Sequence, residues 1–205
     1  MRILSYLLII VGVGFLAYGG YLWYYSTSSQ KELTVEAQSL LAERDEKLLT
    51  ADRSKILDVA TEFDPGIGEV AGMLHIPKLE ADLPIVEGTD EDELAVGVGH
   101  YRGTAYPLQN EQIVLSGHRE TVVRRMGEVE IGDYLIIQME YGDFTYEITE
   151  TKIVDADDRT IIVPHGEEVL TLTTCYPFNF VGSAPERYII YAYPVDEPEN
   201  DDVEA

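Results

Sequence analysis

Between Val70 and Pro194 the sequence is a series of short strand-like runs separated by turn residues. The runs occupy residues 71–77, 81–88, 111–118, 133–154, 168–175 and 187–194. Segments of this length with frequent turn signals are typical of β-proteins. Because many short strands must bury one face without leaving long free edges, the pattern predicts a mainly β domain, either a closed barrel or a sandwich.

The longest run, residues 133–154, predicts a hairpin. Leu135, Ile137 and Met139 alternate with more polar neighbours, and the alternation resumes after Gly142-Asp143, which supplies turn chemistry. Between the strands, residues 91–96 and 120–126 are candidates for short helices. The sequence contains no internal repeat and no glycine-rich phosphate loop.

Residues 3–25 form an uncharged run of 23 residues, ILSYLLIIVGVGFLAYGGYLWYY. A bilayer span needs roughly 20 apolar residues, and the aromatic cluster at 21–25 resembles an interfacial belt. Arg2 precedes the run, and Lys31 is the first base after it. We therefore expect residues 1–25 to be a signal-anchor transmembrane helix with the rest of the chain outside the cell; the alternative is a cleaved signal peptide.

The remaining boundaries follow from composition. Residues 26–68 are polar with roughly helical apolar spacing, which predicts a helical stalk or packing helix and a linker broken by Pro and Gly at 63–69. Residues 69–194 then form the β domain, and residues 195–205 an acidic disordered tail. The net charge of −24 excludes nucleic acid as a partner, because phosphate binding needs a basic surface.

Cys175 is the only cysteine, so no disulfide forms within the chain, and it ends the strand-like run 168–175. Arg187 follows twelve residues later at the start of the next run. Among four histidines, His118 is the candidate partner because it ends an apolar strand. His75 lies inside a strand pattern, His100 follows a glycine-spaced loop and His165 lies in an exposed loop. The residues alone leave open whether this set is catalytic or structural.

Three motifs in order resemble the sortases, membrane-anchored cysteine transpeptidases of Gram-positive surfaces. TLTTC (171–175) is similar to their cysteine signature, SGHR (116–119) to their histidine segment and ERYII (186–190) to their arginine strand. The Tyr-Pro-Phe after the cysteine resembles the class D branch. The resemblance covers residues 69–194 and implies an eight-stranded barrel in which the cysteine and the arginine occupy adjacent strands.

The resemblance also implies the chemistry. Cys175 attacks the carbonyl between Thr and Gly or Ala in a Leu-Pro-x-Thr-type sorting signal and forms a thioacyl enzyme. His118 protonates the leaving amine and deprotonates the incoming one, which a cell-wall precursor supplies. Arg187 binds the substrate backbone and the oxyanion, and Thr174 helps to orient the substrate. The partners are therefore surface proteins, the precursor amine and the membrane.

The loop before the cysteine strand is the expected specificity element. In sortases the corresponding loop cradles the Leu-Pro end of the signal, and here its apolar residues are Ile161, Ile162 and Val163. They are expected either to line such a pocket or to be ordinary core. No cofactor is expected. Some sortases bind calcium through acidic loops, but the acidic stretch 155–158 is more typical of a solvated surface, so no metal site is predicted.

Three alternative functions remain open. A pilus-assembling, class C-like sortase would join lysine-bearing pilins, although its usual lid motif and C-terminal membrane segment are not evident. A hydrolytic cysteine peptidase would release its substrate instead of transferring it. A non-catalytic surface-anchored module would use Cys175 only as a small buried residue.

Overall fold

Each predicted strand-like run forms a strand in the computed structural model, which describes residues 2–48, 53–118, 125–178 and 184–195. Within these residues the strands are β1 (Val70–Ile76), β2 (Ala81–Glu87), β3 (Val98–His100), β4 (Gln112–Gly117), β5 (Tyr134–Met139), β6 (Gly142–Asp155), β7 (Val169–Tyr176) and β8 (Glu186–Pro194). They close into one barrel in the order β1-β2-β3-β4-β7-β8-β6-β5. The expected eight-stranded barrel is confirmed, and the sandwich is excluded.

The barrel interior holds the main core, and alternation along the strands decides which side chains reach it. On β4 and β7 the inward residues Ile113, Leu115, Leu170 and Leu172 are fully buried in one apolar cluster. The residues between them face outward, where Val169, Ile189 and Tyr191 form a smaller apolar cluster. Because β4, β7 and β8 are adjacent, their outward residues form one continuous surface.

Two details of the sequence prediction are wrong. The segment around His100 is not a loop but β3, which pairs in parallel with β2 and antiparallel with β4. The sequence gives no strand signal here because Gly99 lies against the Gly88 backbone, where no side chain fits. A Cβ on Gly99 would lie 2.3 Å from the Gly88 carbonyl oxygen. In the β5–β6 hairpin the turn residues are Glu140 and Tyr141, and Gly142 already pairs with Met139.

The helical predictions have mixed outcomes. Helix α3 (Glu91–Val96) is confirmed at the predicted position. Most of the second candidate, residues 120–126, lies outside the described residues, and a 3₁₀ turn follows at Met126–Glu128. The acidic tail from 196 onward also lies outside them.

The N-terminal region forms α1 (Arg2–Leu48) and α2 (Arg53–Glu62). The second half of α1 packs on the barrel wall: Ala37 is fully buried, and the Gln30 side chain donates to the Ala95 carbonyl at 3.2 Å. Helix α2 also packs, since the Gln109 amide donates to the Ala60 carbonyl at 2.8 Å. Both helices of the predicted stalk region therefore contact the barrel, and a free stalk is not confirmed.

The first half of α1 exposes its apolar side chains. Exposed residues include Leu7, Ile10, Phe15, Leu16 and Tyr18, which lie on several sides of the helix. In the part of the chain that the structure describes, no helix reaches the combined length and hydropathy of a membrane span.

Candidate active site

Three neighbouring strands bring His118, Cys175 and Arg187 to one end of the barrel. Strands β4 and β7 are parallel, and Gly117 is level with Thr174. Strands β7 and β8 are antiparallel, and Cys175 is level with Arg187. Since His118 directly follows Gly117, the three predicted catalytic residues stand side by side on β4, β7 and β8. Adjacent strands lie about 4.8 Å apart, so their side chains are within mutual reach.

These residues lie on the outer face of the sheet. Leu172 and Thr174 face the interior, so Thr173 and Cys175 face outward. On β8 the same alternation turns Ile190 inward and places Ile189 and Arg187 outside. His118 and Cys175 are both half-buried, and Cys175 is a free thiol. A thiol in this position is partly open to solvent and still held by paired strands.

The Arg187 side chain is anchored by backbone carbonyls. Its Nη1 donates to the carbonyl oxygens of Ala184 at 3.2 Å and Glu186 at 3.0 Å. Among the described residues, no carboxylate is paired with it. A guanidinium has five N–H donors in a fixed fork, so this anchoring fixes the group and leaves other donors for a substrate carbonyl or an oxyanion.

Thr174 is placed differently from the prediction. Its side chain faces the barrel interior, is only 3% exposed, and its Oγ1 has no hydrogen-bond partner in the described structure. It therefore lies on the opposite face from Cys175, where direct contact with a substrate on the outer surface is not available. An unpaired buried hydroxyl is costly, and this one belongs to the residue directly before Cys175 on β7.

The loop between β6 and β7 crosses the outer face and is fastened by Gln112. The Gln112 amide donates to the Ile161 carbonyl at 2.8 Å and accepts from the Val163 N–H at 3.1 Å. Ile161 packs against the outer apolar cluster. Ile162 and Val163 instead line an open pocket of about 190 Å³ with Thr104 and Glu111. Ile161 thus has the contacts of a core residue, and the other two those of a pocket.

This pocket is at the start of β4, whereas His118 follows its end. The six residues of β4 lie between Glu111 and His118, which corresponds to about 20 Å. Glu111 caps the loop here by accepting the N–H of His165 at 2.6 Å. That hydrogen bond, with others from Gln112 and Gly166, lowers the pKa of the Glu111 carboxyl. The contact is present above that lowered pKa and is lost only as the pH falls through it.

Sequence reasoning missed a buried polar cluster around His100. The His100 Nδ1 lies 2.6 Å from Glu87 Oε2, its Nε2 lies 2.9 Å from the Ala105 carbonyl oxygen, and the residue is 1% exposed. The Tyr106 hydroxyl donates to the same Glu87 oxygen at 2.7 Å. Burial, followed by this bond, raises the pKa of Tyr106 far above its ordinary value. Because its polar groups are paired with one another, the cluster has a structural role. The only sequence signal for it was Glu87, a charged residue at the end of an apolar run.

The Tyr-Pro-Phe segment after Cys175 forms an aromatic cluster, a role the sequence did not predict. Tyr176 stacks on Tyr188 with ring centroids 6.1 Å apart, and Phe178 lies edge-on to both at 5.3 Å. A Cβ on Gly127 would lie 2.9 Å from the Phe178 ring. The cluster therefore joins the segment after Cys175 to the 3₁₀ turn that follows the His118 segment.

The other histidines lie away from Cys175. His75 is on β1 and lies 2.6 Å from Asp82 Oδ1, and His165 is in the β6–β7 loop. Among the residues the structure describes, no group of three or more His, Cys, Asp or Glu side chains is arranged to hold a metal ion.

Known proteins resemble this chain in sequence and in fold. A family model described as "Sortase domain" matches residues 74–195. Sortase D of Bacillus subtilis (strain 168) is 47% identical over 192 residues, which cover 93% of this chain and 96% of that protein. The solved structure of a Clostridium perfringens Sortase D5 transpeptidase has a TM-score of 0.62 at 25% identity and covers 78% of this chain and 98% of its own.

A second solved structure shares the fold at lower identity. Clostridium perfringens sortase C, solved with the C-terminal cell wall sorting motif, has a TM-score of 0.62 at 23% identity and covers 78% of this chain and 100% of its own.

Proposed function

The chain belongs to the sortase family, and we propose that it is a membrane-anchored cysteine transpeptidase that joins surface proteins to a cell-wall amine. Its substrate is a Leu-Pro-x-Thr-type sorting signal, cleaved between Thr and the next residue, Gly or Ala. The observation that carries the proposal is the placement of His118, Cys175 and Arg187 on one face of three adjacent strands. The 47% identity to a Sortase D supports the class D assignment.

In the first half of the reaction, the Cys175 thiolate attacks the Thr carbonyl carbon, since the thiolate is the reactive form of cysteine. The carbonyl oxygen becomes an oxyanion, and the free N–H groups of Arg187 stabilise it. The C–N bond then breaks as His118 gives a proton to the leaving amine. The product is a thioester between Cys175 and the Thr carbonyl.

In the second half, an amine replaces the thiolate. His118, now neutral, takes a proton from the incoming amine, which attacks the thioester carbonyl. The tetrahedral intermediate collapses with loss of the Cys175 thiolate, and a new amide bond links the surface protein to the amine. Water in place of the amine would give hydrolysis, so the choice of nucleophile separates a transpeptidase from a peptidase.

The test is a transfer assay with the full chain in detergent. Leu-Pro-x-Thr-Gly and Leu-Pro-x-Thr-Ala peptides are incubated with a panel of amines that includes oligoglycine and a lysine-bearing peptide. We expect a ligated product that depends on both the amine and Cys175. Cleavage with no ligated product for any amine would indicate a hydrolase, and ligation to the lysine peptide alone would favour the pilus-assembling alternative.

We further propose that residues 1–25 anchor the protein in the cell membrane with the barrel outside. Support comes from the uncharged run 3–25 and from the exposed apolar side chains around the first half of α1, since a helix that is apolar all round needs an apolar environment. Protease added to intact protoplasts should degrade the barrel. Protection of residues 60–205 would refute this topology.

A further inference from the structure

The two ends of the barrel are chemically different. The catalytic rim is the end that carries His118, Cys175 and Arg187. Strand β6 runs toward this rim, because its last residues pair with the start of β8. The β5–β6 turn at Glu140 and Tyr141, from which β6 begins, therefore lies at the opposite end, here called the far rim.

Helix α1 lies along the barrel wall with a definite direction. Near its C-terminus, Arg44 donates to the Met139 carbonyl at 3.2 Å and forms an ion pair with Asp143. Both partners flank the far-rim turn. Nearer the N-terminus of α1, Gln30 donates a hydrogen bond to the carbonyl of Ala95, which is next to the last residue of α3. Fourteen residues separate Gln30 and Arg44, which is about 21 Å of helix.

Ala95 marks the middle of the barrel wall. Gly97, two residues on, packs on the backbone of Pro84, since a Cβ there would lie 2.6 Å from the Pro84 carbonyl oxygen. Pro84 is central in β2, whose first residue, Ala81, is at the catalytic rim. A contact of the 3₁₀ turn that precedes Ala81 supports this position. Arg125, which follows the His118 segment, donates to the carbonyl of Leu79 in that turn at 3.2 Å.

From Arg44 back to Gln30, α1 thus rises from the far rim to the middle of the barrel, and its apolar half continues in the direction of the catalytic rim. We propose that the catalytic rim faces the lipid bilayer, so that Cys175 works at the membrane surface. This inference rests on the membrane anchor proposed above.

The distances place the rim close to the lipid. Five residues separate Gln30 from the end of the apolar run at Tyr25, which is about 7.5 Å of helix. Three residues separate Pro84 from Ala81, which is about 10 Å of strand. The end of the apolar run is therefore roughly level with the catalytic rim.

The sole thiol makes the orientation measurable. The full chain is reconstituted in vesicles of phosphatidylglycerol and phosphatidylcholine, and a fluorophore is attached to Cys175. The matched control is Cys175→Ala with Glu140→Cys, which moves the probe to an exposed position on the far rim. With nitroxide-labelled lipid headgroups, we expect several-fold stronger quenching of the Cys175 probe than of the Glu140→Cys probe. Equal quenching, or stronger quenching at Glu140→Cys, would overturn the proposal.

A second variant tests whether the helix sets the orientation. A flexible Gly-Ser insertion after Thr27 interrupts the continuous α1 and should reduce the difference between the two probes. An undiminished difference would show that α1 does not orient the barrel.

Flotation of the vesicles and a transfer assay on the unlabelled protein separate the proposals. Failure to float with the vesicles would refute the anchor and the orientation together. Normal transfer with equal quenching would refute the orientation only, and asymmetric quenching without transfer would refute the transpeptidase only.

Discussion

His100 ends strand β3 and His118 directly follows strand β4, but the two histidines lie in different surroundings. His100 is buried with Glu87 Oε2 at 2.6 Å and the Ala105 carbonyl oxygen at 2.9 Å from its two ring nitrogens. His118 is half-buried beside the strand that presents Cys175. A histidine whose nitrogens are both bonded inside the buried core stabilises the fold, whereas His118, beside a half-exposed thiol, is the residue we propose for proton transfer.

The largest expected effect comes from exchanging these two histidines for alanine. His118→Ala should lower kcat/KM for transfer by about 100- to 10,000-fold, the usual contribution of a general acid–base, with little change in unfolding free energy. His100→Ala should cost about 3 kcal/mol of stability, because it removes one partner of a buried charged group. Denaturant unfolding and kinetics of both variants check this. A folded but inactive His100→Ala would reverse the assignment.

The next test compares Arg187 with Glu87. Arg187 is bonded only to backbone carbonyls among the described residues, whereas Glu87 is bonded to His100 and Tyr106. Arg187→Ala should reduce kcat by about 100- to 1,000-fold, the cost of one oxyanion donor. Arg187→Lys keeps the charge but loses the planar fork, so it should recover little of the rate. A lysine variant near wild type in side-by-side kcat measurements would refute the oxyanion role and leave Cys175 and His118 intact.

Gly127→Ala tests whether the aromatic cluster positions the site. The new Cβ would lie 2.9 Å from the Phe178 ring, so the ring and the segment after Cys175 must shift. We expect a loss in kcat of about tenfold, within the range that a 1 Å misplacement can cause. Adding Phe178→Leu makes room and should restore part of the rate. An unchanged kcat in the single variant would limit the cluster to packing.

The smallest effects are expected in the β6–β7 loop. Ile161→Ala should cost about 2 kcal/mol because Ile161 packs on the outer apolar cluster. Val163 is 42% exposed, so Val163→Ala should change stability by less than about 0.5 kcal/mol. Because its pocket lies about 20 Å from His118, the peptide KM should stay unchanged. A raised KM in Val163→Ala would show that the sorting signal reaches this pocket.

The strands and the alignment of Cys175 with Arg187 could be predicted from the sequence. The alternation of apolar and polar residues and the short motifs both depend on residues that are close together in the chain. Strand β3 could not be predicted, because Gly99, which permits the close approach of the Gly88 backbone, carries no strand signal. The Glu87–His100 pair and the contact of Phe178 with Gly127 join residues far apart in sequence, which no local pattern encodes. Thr174 was predicted to orient the substrate from its place in the motif, but strand alternation turns it into the barrel.

The central claim, that Cys175 forms a thioester with the sorting signal, is tested most directly by intact-protein mass spectrometry. The full chain is mixed with each Leu-Pro-x-Thr-Gly or Leu-Pro-x-Thr-Ala peptide without an amine and quenched in acid. We predict an added mass equal to the peptide acyl portion ending at Thr, located on Cys175, absent in Cys175→Ala and removed when an amine is supplied. Cleavage of the peptide with no adduct, or with an adduct that persists in Cys175→Ala, would contradict the account.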